Sequence, residues 1–151
     1  MSESEEHSNL VAMLHSYIAD RFCQGDKERV LTDSIGSDSI DRPPSIGSHV
    51  PDAYVMLDRS GRVILGEAKS LRDLENSHTE AQLTAFLRRC NSVDHSTLVL
   101  AVPWPIERLA KALLLSLQVR EGLSHIEIAV ISEAHHLQTL PTRGRSVHCS
   151  G

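Results

Sequence analysis

The sequence has few cysteines, few aromatic residues and no long apolar run, and each shortage excludes a class of protein. Its three cysteines, Cys23, Cys90 and Cys149, are an odd number without a CxxC pair. This argues against a disulfide framework and against a zinc site built from cysteines alone. The longest apolar runs, near STLVLAV and ALLLSL, are far shorter than the roughly 20 residues of a membrane helix. We therefore expect free thiols and no membrane span.

The chain also has no excess of positive charge. The chain has 15 Lys and Arg residues against 20 Asp and Glu residues, which gives a formal net charge of −5 at pH 7. This charge gives no general attraction to nucleic acid, so a polyanion would have to be held by a local basic patch or through metal ions. The first ten residues, MSESEEHSNL, are acidic where a signal peptide is basic, so a cytoplasmic location is expected by default.

The residues that are present fit one ordinary soluble domain. The 151 residues are 40% hydrophobic and 23% charged, enough for a real core and short for two domains. We predict a flexible N-terminus over 1–8, a single domain over 9–140 and a flexible tail over 141–151. An apolar stripe predicts a first helix that begins after Ser8; its members are Leu10, Val11, Leu14, Ile18 and Phe22.

The remaining patterns predict an α/β fold. DAYVML and RVILGEAK flank the turn sequence DRSG, which is typical of a hairpin. Ser77 with Glu80 three places on predicts a capping box at the start of a second helix. STLVLAV, WPIERLAKALLLSL and IEIAVIS then predict strand, helix and strand, a right-handed crossover with parallel strands. The expected architecture is a sandwich with a mixed central sheet flanked by helices.

Three charged residues lie beside the apolar runs of the hairpin. If Asp58 pairs with Gly61, Asp52 stands opposite Glu67, with Cβ atoms about 4.5 to 5.5 Å apart. Lys69 projects from the same face because strand side chains repeat with period two. Two neighbouring carboxylates repel each other, and a hard divalent cation relieves this by taking oxygen ligands from both. Such a cation also makes a bound water more acidic, so the three side chains predict phosphodiester hydrolysis.

At Pro51-Asp52 and Glu67-Ala68-Lys69 the sequence resembles the PD-(D/E)XK nuclease superfamily. The likeness is closest to its small virus-type replication-repair nuclease (VRR-NUC) and Holliday-junction-resolvase-like members, since a glycine precedes these motifs and a helix bearing a glutamine follows. It covers about residues 47–89 well. The resemblance implies a restriction-endonuclease-like fold and a metal-dependent nuclease that hydrolyses DNA.

The resemblance also implies roles for individual residues. Asp52 and Glu67 would bind Mg²⁺ or Mn²⁺, helped by the backbone carbonyl of Ala68, while Lys69 would serve the attacking water. The downstream glutamine maps to Gln82, which joins the catalytic set. Many members also supply an acid from the first helix; the candidates here, Glu5 and Glu6, cannot be placed from the sequence.

The other candidate residues each have a simpler interpretation. Arg72, Arg88 and Arg89 are the candidate phosphate contacts, although the two latter suit the carboxyl end of a helix by their charge alone. His78 shares a helical face with Gln82 and is a candidate nucleic-acid contact, and an exposed helix face explains both equally well. His49 borders the site in sequence, and His135-His136 is interpreted as surface. Trp104 either packs at a helix start or stacks on a base.

Two classes of function remain open at this point. One is a metal-dependent nuclease that acts on DNA. The other is a nuclease-like domain whose site is vestigial and which binds nucleic acid or protein; here Glu67 and Lys69 would be a solvated pair at a strand end. A small-molecule-binding α/β domain is a weaker third, because no glycine-rich phosphate loop or nucleophile elbow is present. A homodimer is left open.

Overall fold

A five-stranded sheet forms the centre of the computed structural model, which describes residues 3–33 and 42–134. Its strands are β1 (Leu31–Thr32), β2 (Ala53–Met56), β3 (Val63–Ala68), β4 (Thr97–Ala101) and β5 (Glu127–Ile131). The α-helices of the described residues are α1 (Glu3–Phe22), α2 (Leu71–Leu74), α3 (Ser77–Asn91) and α4 (Glu107–Glu121). Two short 3₁₀ helices, Lys27–Arg29 and Trp104–Ile106, complete the regular structure of this part of the chain.

The sheet is mixed and open, and its strands lie in the order of the sequence. Strands β1, β2 and β3 pair antiparallel, whereas β3, β4 and β5 pair parallel. Helices α3 and α4 return the chain from the carboxyl edge of the parallel strands to their amino edge, as parallel connections require. The predicted α/β class, with a mixed sheet flanked by helices, is therefore confirmed.

Side chains of β3 alternate between two apolar cores. Ile64 and Ala68 face α1, where they pack with Leu10, Leu14, Ile18 and neighbouring residues. Val63 and Leu65 face α3 and α4, where they pack with Leu83, Phe86, Leu87, Leu114 and others. Because the alternation has period two, Glu67 lies on the side of the sheet that α3 and α4 cover.

The hairpin has the register that its turn residues predict. Ala53 pairs with Gly66, and Met56 pairs with Val63, which continues to Asp52 opposite Glu67. Gly61 donates its N–H to the carbonyl of Asp58 at 3.3 Å and has a φ of 90°, a conformation that favours glycine. A slip by one residue would have moved Glu67 to the other face, so this register positions the candidate site.

Several sequence-based expectations were wrong in detail. Helix α1 begins at Glu3, well before Ser8. The N-cap of α3 is Asn76, which accepts a hydrogen bond from the N–H of His78, so the predicted cap at Ser77 lies one residue late. The capping box of this region is Ser70 with Asp73, at the start of α2. The sequence does not predict this box, because the residue at the third helical position of a capping box is typically Glu or Gln and here is Asp.

Some predicted features lie outside the described residues. These are residues 34–41 of the stretch from Thr32 to Gly47, whose Ser, Asp, Gly and Pro content is typical of a long loop, the pair His135-His136, the tail over 141–151, and Cys149. Cys23 and Cys90 are buried free thiols, as expected. Over residues 3–33 and 42–134 no helix has the length and apolar character needed to cross a membrane.

Gly66 lets α1 approach the sheet next to the candidate site. A Cβ at this position would come within 2.9 Å of methyl carbons of Leu14 and Ile18, both fully buried. We expect Gly66→Ala to lower the free energy of unfolding by about 1–3 kcal/mol, the usual cost of overpacking. Chemical denaturation of the variant measures this loss.

Leu14→Ala provides the matched control for the Gly66 prediction. Because Leu14→Ala removes one of the two side chains that the new Cβ would meet, the double variant Leu14→Ala/Gly66→Ala should be less destabilised than the sum of the two single changes. Strict additivity of the two losses would contradict the close approach of α1 to Gly66.

Candidate active site

The two carboxylates of the hairpin are held together by backbone hydrogen bonds. The N–H of Asp52 donates to Oε1 of Glu67 at 3.0 Å, and the N–H of Ala68 donates to Oδ2 of Asp52 at 2.8 Å. Each carboxylate thus accepts a bond from the opposite arm of the hairpin. This reciprocal arrangement holds both acids at the carboxyl end of β3.

Lys69 completes the cluster predicted from the sequence. Its Nζ lies 3.4 Å from Oε2 of Glu67, and the two side chains are only 12% and 2% exposed, respectively. A solvated pair at a strand end would be far more exposed, so that interpretation of Glu67 and Lys69 is wrong. A buried ion pair costs desolvation energy and contributes little to stability. A functional role therefore explains this pair better than a stabilising one.

The environment shifts the pKa values of the two acids in opposite directions. Burial raises the pKa of Glu67 well above its ordinary value, and the negative charge of Asp52 raises it further. Burial also acts to raise the pKa of Asp52, but hydrogen bonds with His7, with Glu67 and from the Ala68 N–H outweigh it and lower that pKa. Of the two acids, Glu67 therefore binds a proton more readily than Asp52.

His7 is a member of the cluster that sequence reasoning missed. Its Nε2 lies 3.5 Å from Oδ1 of Asp52, and the hydrogen bond with Asp52 raises the pKa of His7. The sequence offers the acids Glu5 and Glu6 as first-helix candidates, whereas the α1 residue 3.5 Å from Asp52 Oδ1 is a histidine. A signal was present, because His7 precedes Leu10 and Leu14 at helical spacing and so extends their stripe.

Gln82 and His78 have different environments although both belong to α3. Gln82 is 8% exposed, and its Oε1 is buried without a hydrogen-bond partner. The exposed-face interpretation is therefore wrong for Gln82, which lies on the side of the sheet that carries Glu67. His78 is exposed, and its ring centroid lies 5.2 Å from that of His49, so these two candidates are neighbours.

The three candidate arginines are not brought together. Arg72 is exposed on α2, close in sequence to Lys69. Arg88 and Arg89 lie in the last turn of α3, and the connection of α3 places that turn toward the amino edge of the sheet, opposite Lys69. Arg88 also forms an ion pair with Glu121. A common phosphate-binding role with Arg72 is thus not supported by their positions.

The residues of the cluster fit a hard divalent cation with few protein ligands. Within the described ranges no group of three or more His, Cys, Asp or Glu side chains is arranged to hold a metal ion. Mg²⁺ does not require one, since it keeps several waters and commonly takes one or two carboxylates together with substrate phosphate. Asp52 and Glu67 supply the two carboxylates, and the unpartnered Oε1 of Gln82 is a buried acceptor still without a donor.

Comparison of the chain with protein-family models, curated proteins and solved structures gave no match. The interpretation of the site therefore rests on its own geometry and charge. The decisive features are the two acids joined by backbone hydrogen bonds and the buried lysine beside them.

The raised pKa of Glu67 predicts that the metal-free protein loses stability as pH rises. Because the pKa of Glu67 is raised in the folded state, this group contributes fully to the free energy of unfolding below its ordinary pKa of 4.5. The contribution is lost as pH rises through the folded-state pKa. His7, whose pKa is also raised, changes in the same direction above 6.5. Asp52, whose pKa is lowered, affects stability only as pH falls below its ordinary 3.8.

Glu67→Gln should reduce this pH dependence, because glutamine mimics the protonated acid and does not ionise. Melting temperatures in EDTA between about pH 5 and about pH 9 should fall less for Glu67→Gln than for wild type. Glu127→Gln, at an exposed carboxylate on β5, is the control and should keep the wild-type slope. Equal slopes for all three proteins would rule out a proton on Glu67.

Proposed function

We propose that the protein is a divalent-metal-dependent nuclease that hydrolyses DNA phosphodiester bonds. The observation that carries this proposal is the buried cluster of Asp52, Glu67 and Lys69, in which each acid accepts a backbone hydrogen bond from the other arm of the hairpin. Buried charges are rare unless they are paired or bind a metal. The restriction-endonuclease-like fold and the likeness to PD-(D/E)XK nucleases belong to the same proposal.

Asp52 and Glu67, with the backbone carbonyl of Ala68, would hold Mg²⁺ or Mn²⁺. When bound, the ion would supply charge stabilisation for the scissile phosphate and acidify water. Glu67 would bind the cation in its ionised form, because a protonated carboxyl is a poor donor to a cation, and its raised pKa opposes that ionisation. Cation binding and proton release at Glu67 are therefore coupled.

Lys69 and Gln82 supply the remaining chemistry. The ammonium of Lys69 lies 3.4 Å from Glu67 Oε2, so it is close to any group held by that carboxylate. It would hold and orient the attacking water and balance the charge that develops on the phosphate. Gln82, whose Oε1 has no partner, would accept a hydrogen bond from Lys69 or from water and so orient the attack.

A second candidate function is a nuclease-like domain with a vestigial site, used to bind nucleic acid or protein. The observation that favours it is His7, which ion-pairs with Asp52 when protonated and neutralises part of the acidic charge without a cation. The net charge of −5 adds to this argument, since it weakens general attraction to DNA. A cation that binds Asp52 should displace His7 from it in a working metal site, whereas His7 should stay in place in a vestigial one.

Cleavage assays test the proposal directly. Single-stranded, duplex, flap and four-way DNA are incubated with Mg²⁺, with Mn²⁺ or with EDTA, and the products are separated on denaturing gels. We expect cleavage of at least one substrate with a divalent cation and none in EDTA. Binding without cleavage of any substrate would favour the vestigial site, and cleavage that persists in EDTA would reject the metal-dependent mechanism.

A further inference from the structure

Trp104 is exposed at the edge of the sheet that carries the candidate active site. It follows β4 after Val102 and Pro103. The N–H of Lys69 donates to the carbonyl of Ala101 at 3.0 Å, which joins the ends of β3 and β4. Trp104 is 61% exposed, so the interpretation that it anchors a helix by packing is wrong. The ring therefore faces solvent at the same end of the sheet as the candidate site, where it can contact a ligand.

The backbone around Trp104 is well fixed, so the ring is presented from a defined position. The N–H of Trp104 donates to Oε2 of Glu133 at 2.9 Å. Pro103 and Pro105 flank the residue, and their rings fix φ near −65°. The N–H of Ile106 closes the turn on the carbonyl of Pro103 at 3.1 Å. Such a segment loses little conformational entropy when a ligand binds.

Two cations lie next to this ring on the first turns of α4. Arg108 and Lys111 are exposed and, like Trp104 and Pro105, line a cavity of about 640 Å³. Glu107 lines the same cavity, and its Oε2 accepts a hydrogen bond from the hydroxyl of Ser132 at 2.7 Å. Among the lining residues the two cations outnumber this one carboxylate. We call Trp104, Pro105, Arg108 and Lys111 the Trp104 surface.

We propose that the Trp104 surface binds single-stranded nucleic acid, with an unpaired base stacked on the indole and the adjoining phosphates held by Arg108 and Lys111. This proposal rests on the nuclease function and names the class of its substrate. Single-strand binding sites combine aromatic stacking with a basic groove that follows the backbone. Bases within a duplex have their faces covered by neighbouring bases, so only an unpaired base offers a free face to Trp104.

The chain contains one tryptophan, so tryptophan fluorescence, excited selectively over the tyrosines, reports on Trp104 alone. In EDTA, where no cleavage is expected, oligothymidylate should quench the emission of the wild-type protein, because stacking brings the base against the indole. A blunt duplex of equal length should quench it far less. Absence of quenching at concentrations where fluorescence anisotropy detects bound oligothymidylate would overturn the proposal.

Variants measured by anisotropy of a dye-labelled oligothymidylate separate stacking from charge. Trp104→Ala should weaken binding by about five- to a hundredfold, and Trp104→Phe should keep most of the affinity. The double variant Arg108→Gln/Lys111→Gln should reduce the slope of log affinity against log salt by about 1.4, or about 0.7 for each lost phosphate contact. Val119→Ala, at a 73% exposed residue near the other end of α4, is the control and should bind like wild type.

Failure of this proposal differs from failure of the nuclease function. Metal-dependent cleavage with no effect of Trp104→Ala on affinity or on substrate preference would reject the Trp104 surface and leave the nuclease intact. Quenching by oligothymidylate without cleavage of any DNA would reject the nuclease and support the surface as a binding site. Melting curves of Trp104→Ala check that the variant is folded, and its exposed side chain predicts little change in stability.

Discussion

Asp52→Asn is expected to lower metal-dependent DNA cleavage by about a thousandfold or more, the rate equivalent of several kcal/mol of transition-state stabilisation. The substitution keeps an oxygen that can accept the hydrogen bond from the Ala68 N–H, so the local fold should survive. What it removes is one of the two negative charges that would hold the cation. Initial rates at saturating Mn²⁺ and Mg²⁺ measure the loss.

Glu127→Gln serves as the control for the Asp52 variant. It also removes one carboxylate, but on β5 and away from Asp52, so its cleavage rate should equal that of wild type. Circular dichroism and melting temperature confirm that both variants are folded. Wild-type activity in folded Asp52→Asn would remove Asp52 from the metal site and with it the proposed mechanism.

Lys69→Met is expected to lower turnover by about 10²- to 10⁴-fold, the usual contribution of a positioned proton-transfer or charge-balancing group. Methionine retains an apolar side chain that can fill the largely buried position of the lysine stem. Cation affinity should fall only a few-fold at neutral pH, because the charge of Lys69 lowers the pKa of Glu67 and its loss makes that acid harder to ionise. The effect should therefore appear in kcat and much less in metal binding.

Lys27→Met is the matched control for Lys69, because Lys27 is exposed near the end of α1. It should leave both cleavage and metal binding unchanged. Single-turnover rates together with Mn²⁺ titrations separate the two effects in each variant. An unchanged kcat in Lys69→Met would show that the lysine is a structural partner of Glu67 and takes no part in the chemistry.

The central part of the site could be predicted from the sequence because its geometry is set locally. Turn residues between two short apolar runs determine the hairpin register, and the register places Asp52 opposite Glu67. The period of a strand then places Lys69 beside Glu67. No long-range contact is needed for any of these steps.

The contribution of α1 could not be predicted in the same way. His7 lies 45 positions before Asp52 in the sequence and reaches it only because α1 packs on the sheet. A histidine on a helical face does not indicate which residue it will contact. The helix itself starts at Glu3 because polar residues can extend a helix whose apolar stripe begins later. The apolar stripe therefore located the packed part of α1 and missed its first turns.

Burial of polar side chains was equally hard to foresee. Gln82 is buried and Trp104 is exposed, the reverse of what their polarity suggests. The orientation of α3 on the sheet determines the burial of Gln82. The position of Trp104 after β4, between two prolines, determines its exposure. Leu109 is likewise 49% exposed on α4 although its side chain is apolar. Periodicity predicts a stripe, but its edges depend on which neighbours cover it.

Melting of the protein with and without Mn²⁺ tests the central claim, that Asp52 and Glu67 form a cation site, most directly, because no DNA substrate has to be found. A cation that binds only the folded state raises the melting temperature with concentration. We predict such a shift for wild type, larger at higher pH as Glu67 ionises, an equal shift for Glu127→Gln, and little or none for Asp52→Asn. Equal shifts in all three proteins, or none in any, would contradict the claim.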